Sequence, residues 1–193
     1  MKYLQADKLD FDPRPQMGKI FAEGFGHHFT AFSKDTTRLA KAFAHIFDLS
    51  HFYVAVEGET ITAISGCTAG FSPIKFDKKI CRRELGFFRG WLAYFILTKH
   101  IVNHKFPFDF TPGMGRIEVV GTAVEFRGRG AAFGLLTHIM EVTPYTEYVL
   151  EVVDDNAPAI KLYEKLGFEA FMAVKDPNSK QSGINAFVYM KRT

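Results

Sequence analysis

Arg127-Gly128-Arg129-Gly130-Ala131-Ala132 follows the apolar run Ile117-Glu118-Val119-Val120-Gly121-Thr122. Behind it Ala132, Leu135, Leu136, Ile139 and Met140 recur at i, i+3, i+4, i+7 and i+8, which predicts an amphipathic helix over about 130–142, ended by Pro144. A strand that closes in a small-residue turn and opens a helix presents free backbone N–H groups and a partial positive charge, a ready cradle for phosphate. Gly128 and Gly130 let the chain bend and approach an anion closely, the N–H groups of 128–132 can point at it, and Arg127 and Arg129 add charge. Taken alone, the same residues also describe a plain strand-to-helix turn with solvated arginines.

Working outward toward the C-terminus, Tyr148-Val149-Leu150-Glu151-Val152 reads as a strand. Asn156-Ala157-Pro158 then opens a short helix that Gly167 closes. Two last strands, about 168–174 and 185–191, flank a turn at Asp176-Pro177-Asn178. Toward the N-terminus, residues 15–47 read as helices broken near Gly24-Phe25-Gly26, the second opened by Asp35 or Thr36. A hairpin follows, Phe52–Val56 and Thr60–Ile64 around Glu57-Gly58-Glu59. Between about Arg82 and His104 the apolar residues predict one helix packed on the sheet. Its unbroken apolar run, Trp91 to Leu97, is far below the roughly 20 residues a membrane span needs. Basic flanks at Arg82, Arg83, Lys99 and Lys105 leave a membrane-surface helix as the alternative.

Composition narrows the function classes. At 193 residues and 47% hydrophobic, the chain can bury one core, so one domain over 1–193 is expected. A net charge of +3, with Lys and Arg spread along the chain, does not form the basic stripe of a nucleic-acid binder. Cys67 and Cys81 are too few for a metal-binding quartet and read as small buried residues, although a disulfide between them stays open. The N-terminus, with Asp7, Asp10, Asp12, Pro13 and Pro15, lacks a signal-peptide pattern, so a cytoplasmic protein is the expectation.

Placed in order, these pieces resemble the GNAT superfamily of acyl-coenzyme A N-acyltransferases. Arg127-x-x-Gly130-x-Ala132 is similar to the family's pyrophosphate loop, and Leu135-Leu136 lies on the helix after it. The strand Tyr148–Val153 leads into Asn156, and Ala159-Ile160-Lys161-Leu162-Tyr163-Glu164-Lys165-Leu166-Gly167-Phe168 is similar to the family's A-x-x-L-Y-x-K-x-G-F ending. Val124, where many members have Pro, and Ala131, in place of a bulkier aliphatic, depart from the pattern without removing a chemical group.

The resemblance implies an α/β fold: one mixed, mostly antiparallel twisted sheet, flanked by helices, with a splayed central strand pair whose gap holds a thioester. It implies an acetyl-CoA-dependent N-acetyltransferase that acts directly on a primary amine of a small molecule or peptide, without a metal. It leaves room for a homodimer. The implied cofactor-binding residues are Thr122, Arg127, Gly128, Arg129, Gly130, Ala131, Ala132 and Asn156. Thr122 would meet the pantetheine through main-chain groups, and Asn156 either bonds that arm or caps its helix. Asn156 and Tyr163, seven apart, are expected on one helix face. The Tyr163 hydroxyl is the candidate proton donor to the departing thiolate. Strand alternation would put residues 118, 120 and 122 on one side, making Glu118 the candidate base for the amine. A bulge in this strand would upset that parity. Glu23, His27, His28 and Glu125 stand in reserve, and residues 15–47 and 71–116 are expected to build the acceptor pocket. The competing function is a non-catalytic acyl-CoA-binding sensor or interaction module.

Overall fold

Seven strands hydrogen-bond in the order β1-β2-β3-β4-β5-β7-β6. They are β1 (Lys2–Gln5), β2 (Phe52–Glu57), β3 (Thr60–Thr68), β4 (Met114–Thr122), β5 (Glu147–Val153), β6 (Glu169–Lys175) and β7 (Ala186–Arg192). The computed structural model describes residues 1–177 and 179–193, so Asn178 of the expected Asp176-Pro177-Asn178 turn lies outside the described residues. Every pairing is antiparallel except β4 with β5. That parallel pair needs a crossover, and α5 (Ala131–Val142) supplies it.

Each face of the sheet has its own core. On one face α1 (Arg14–Phe25) and α2 (Thr36–Phe43) cover Phe52, Val54, Ile61 and Ile64. Four of the chain's 21 phenylalanines, Phe21, Phe29, Phe43 and Phe47, form a ring cluster there. On the other face α5 and α6 (Ala157–Lys165) bury Ala63, Cys67, Ile117, Leu150 and Met190. Asp35 caps α2 through the Arg38 N–H at 3.1 Å, and α1 stops at Phe25, beside the expected break. Cys67 and Cys81 are both buried free thiols.

Two expectations are corrected. The single helix over 82–104 is two: α3 (Lys78–Leu85), capped by Asp77 through the Lys79 and Ile80 N–H groups, and α4 (Phe87–Leu97). Gly86 separates them at φ +90°, a conformation a side chain resists. The pair then folds so closely that a Cβ on Gly90 would lie 2.1 Å from the Cys81 carbonyl oxygen. Helix α4 therefore packs chiefly on α3 rather than on the sheet. A turn of π-helix at Thr98–Val102 ends the segment.

The second correction concerns β4. Its register against β3 shifts between Gly66–Glu118 and Ile64–Gly121, so two residues, Val119 and Val120, face the single Ser65. Val119 takes φ +56°, the one described non-glycine residue with positive φ. The bulge resets the alternation: Glu118 and Val119 both lie on the α1/α2 side, Val120 on the α5/α6 side. Glu118 and Thr122 consequently face opposite sides of the sheet, not the same one.

Candidate active site

Strands β4 and β5 pair from Met114–Glu147 to Ile117–Leu150, and there the ladder ends. Both strands continue, β4 to Thr122 along β3 and β5 to Val153 along β7, so each is held by its outer neighbour while the two part. The bulge at Val119 marks the parting on β4. A wedge opens in the middle of the sheet, lined on both sides by main-chain groups with no partner strand.

On the α5/α6 side the loop 123–130 leads into the α5 N-terminus. Gly128 and Gly130 sit at φ +74° and +80°, with Gly130 as the N-cap, and no atom lies within 4 Å of where either would carry a Cβ. The glycines are there for the bend, and the space beside them is open. The first N–H groups of α5 have no acceptor within the helix. Arg127 Nε reaches back to the Thr122 carbonyl at 3.4 Å, and the Arg129 guanidinium lies 5.2 Å from the Phe126 ring centroid. Glycine bend, helix N-terminus and two exposed arginines fit the diphosphate of a coenzyme A molecule.

Tyr163 projects from α6 into the same face, buried and 6.1 Å from the Phe168 ring. Burial raises its hydroxyl well above the ordinary phenol value, so it stays protonated and can donate. Asn156 is the N-cap of α6, its Oδ1 accepting the Ala159 N–H at 3.2 Å, the capping role that was one of the two expected for it.

The other mouth of the wedge is acidic. The residues just past the last β4–β5 pair are Glu118 and Glu151, and both point to the α1/α2 side. Glu118 Oε2 accepts from Arg116 Nη2 at 2.9 Å and from Ser72 Oγ at 3.5 Å, while its Oε1 is buried without a protein partner. The Glu118 side chain is 11% exposed and that of Arg116 7%. Burial pushes the Glu118 carboxyl up to about 7; Arg116, Ser72 and His104 pull against it and Glu151 adds to it. Glu151 is bonded by His104 Nε2 at 2.9 Å, and the Tyr189 hydroxyl faces it. Phe106 closes this side, with Arg116 4.7 Å from its ring centroid and Tyr189 5.4 Å away.

Among the reserve residues, Glu125 is exposed and ion-paired with Lys19 at 3.2 Å, and Glu23 contacts the same lysine at 3.6 Å. His28 stacks near His27, ring centroids 3.8 Å apart. Its proton affinity is lowered by burial and by His27 and raised by Asp155, which places it opposite the β5–α6 turn. Sequence reasoning missed Arg116, Ser72, His104, Glu151 and Tyr189. Arg116 was accessible, since it precedes Glu118 by two on a strand and so shares its side. The others come from separate segments well removed from Glu118 along the chain, and no local signal ties them together.

A family model described as the acetyltransferase (GNAT) family matches residues 16–168. A curated relative, a mycothiol acetyltransferase of Corynebacterium aurimucosum, is 42% identical over 67 residues, 33% of this chain. The match spans only 22% of that relative's length. Among solved structures, an N-acetyltransferase of Staphylococcus aureus Mu50 superposes with a TM-score of 0.66 at 17% identity, covering 100% of both chains. YncA of Salmonella typhimurium, solved with its cofactor acetyl-CoA, gives 0.61 at 16% identity over 100% of this chain and 92% of its own. At these identities the structures speak for the fold.

Proposed function

The chain belongs to the acetyltransferase (GNAT) family, and on that premise we propose that it transfers the acetyl group of acetyl-CoA directly to a primary amine. One observation carries the reading: the β4–β5 ladder stops at Ile117–Leu150, leaving a wedge with an anion cradle on one face and two carboxylates on the other. A cofactor held by residues 127–132 and a cationic acceptor drawn to Glu118 and Glu151 would meet in that gap from opposite sides.

Bound acetyl-CoA supplies an activated acyl group as its thioester. The chain's residues do the rest. N–H groups of 128–132 and the Arg127 and Arg129 side chains bind the diphosphate, and Ala131 and Ala132 keep the helix start narrow. The main chain of β4 up to Thr122 offers the pantetheine arm a strand to pair with. Asn156 fixes the start of α6 where β5 ends. Main-chain N–H near the bulge polarises the acyl carbonyl.

A free alkyl ammonium has a pKa of about 10.4, so the acceptor must lose a proton before it attacks. Glu118, titrating at about 7, is matched to take it near neutral pH. Glu151, its carboxylate fixed in place by His104 Nε2 at 2.9 Å, puts negative charge beside the incoming ammonium. Tyr163 donates its proton to the departing sulfur. The acceptor is a primary amine of a small molecule or peptide. The ring wall of Phe106 and Tyr189 favours one with an apolar or aromatic body.

Incubating the protein with acetyl-CoA and an amine panel, while following thiol release, tests the proposal. Acceptor-dependent release is expected. Tight acetyl-CoA binding with no turnover for any amine would instead support a non-catalytic acyl-CoA sensor, and absence of binding would remove both readings.

A further inference from the structure

Helix α4 turns a continuous apolar stripe to solvent. Phe87, Phe88, Trp91, Leu92, Phe95 and Ile96 fall at i, i+1, i+4, i+5, i+8 and i+9, one side of a helix, and all six are exposed. Phe88 is 81% exposed and Trp91 45%. The opposite side, Gly90, Ala93 and Leu97, is buried, so the helix is anchored to the body through its small face. Neighbouring rings touch, Phe87 with Phe88 at 5.3 Å and Trp91 with Phe95 at 4.8 Å, so the stripe is a patch rather than scattered residues. Soluble chains rarely leave such a patch without a use.

The rim identifies the partner. From Lys75 to Lys105 there are eight lysines and arginines against two acids, Asp77 and Glu84, whereas the whole chain has a net charge of only +3. Two of these cations sit on the stripe itself: Arg82 lies 3.7 Å from the Phe87 ring centroid and Lys78 5.4 Å from that of Phe95. Tryptophan, phenylalanine and leucine bordered by lysine and arginine are the composition of a helix that lies in a lipid headgroup layer. The same local charge opposes a second copy, because pairing two such faces would bring the two excesses together. With 11 residues, α4 cannot cross a bilayer, and among the described residues no helix is long and apolar enough to do so.

We propose that α4 docks the protein on an anionic lipid surface, its apolar stripe in the headgroup region and its basic rim against the negative charge. The docking is independent of the acetyl-transfer reading, since none of these side chains belongs to the wedge. Trp91 is the chain's one tryptophan, so its emission reports on this helix alone.

The test is sedimentation of the full chain with neutral phosphatidylcholine vesicles and with vesicles in which phosphatidylserine makes up about a third of the lipid. Co-sedimentation with the second only is expected, together with a blue shift of Trp91 and release by added salt. Phe88→Ser with Leu92→Ser should abolish sedimentation, and each of Lys79→Gln and Arg89→Gln should weaken it about five-fold. Parent-like far-UV circular dichroism and cooperative thermal unfolding of every variant show that the fold is intact. Equal binding to both vesicle types, or to neither, would overturn the proposal. So would a blue-shifted Trp91 in vesicle-free solution that returns red on dilution, which would mark the stripe as a self-association face.

Discussion

Replacing Glu118 by Gln separates catalysis from stability and moves the two in opposite directions. In the folded chain burial lifts this carboxyl from its ordinary 4.5 to about 7. The folded state therefore holds a proton that the unfolded chain releases, and stability is fully present below pH 4.5 and lost as pH rises through 7. At about 1.4 kcal/mol per unit, the charged form costs the fold roughly 3 kcal/mol above neutrality. A neutral amide at this position would not carry that charge, but Arg116, 7% exposed, would lose its ionic partner and return part of the gain. The Glu118→Gln protein is expected to equal the parent near pH 5 and to exceed it by about 1–2 kcal/mol near pH 8 in urea denaturation. Its kcat/KM should fall about 10²–10⁴-fold, and the parent's limb, rising ten-fold per unit up to about pH 7, should vanish. A variant less stable than the parent near pH 8 would refute the burial argument. An unchanged pH profile would remove Glu118 as the base.

Three further outcomes follow from single contacts. Tyr163→Phe should lower kcat while leaving KM for acetyl-CoA near its parent value, since the lost group is proposed to act at the sulfur; steady-state kinetics with any working amine decides it. Gly130→Val must hold a branched residue at φ +80°, a strain of about 1–2 kcal/mol. The variant should bind acetyl-CoA about ten-fold more weakly by calorimetry, and undiminished affinity would argue against the loop as the diphosphate site. Asp77→Ala removes a cap that satisfies the Lys79 and Ile80 N–H groups at 2.7 and 2.9 Å, so it should lower the thermal unfolding midpoint while leaving acetyl-CoA binding intact.

Much of the fold was readable because its signals are local. The loop proposed to hold the diphosphate has glycine at two positive-φ positions, and α5 announces itself by a 3.6-residue repeat starting beside them. Gly58-Glu59 closes a hairpin, and Asp35 and Asn156 cap helices they immediately precede. The break at Gly86 was written in the chain but masked, since apolar residues run on both sides of it and a periodicity reading spans the gap. The face of Glu118 was not readable at all. One extra residue at Val119–Val120 reverses every assignment that alternation makes beyond it, and two valines carry no mark of a bulge.

By itself, then, the order of residues determined most of the elements around the wedge, their sequence along the chain and the glycine bend proposed as the anion cradle, because each depends on neighbours within a turn or two. Tertiary structure alone decided where β4 and β5 part, since that depends on β3 and β7 holding them from outside. It also decided that Glu118 meets Arg116, Ser72 and a wall containing His104 and Glu151, and that α4 leaves its aromatic stripe in solvent. Burial and charge proximity are properties of the packed chain, and they raise a strand glutamate to the proton affinity its proposed role requires.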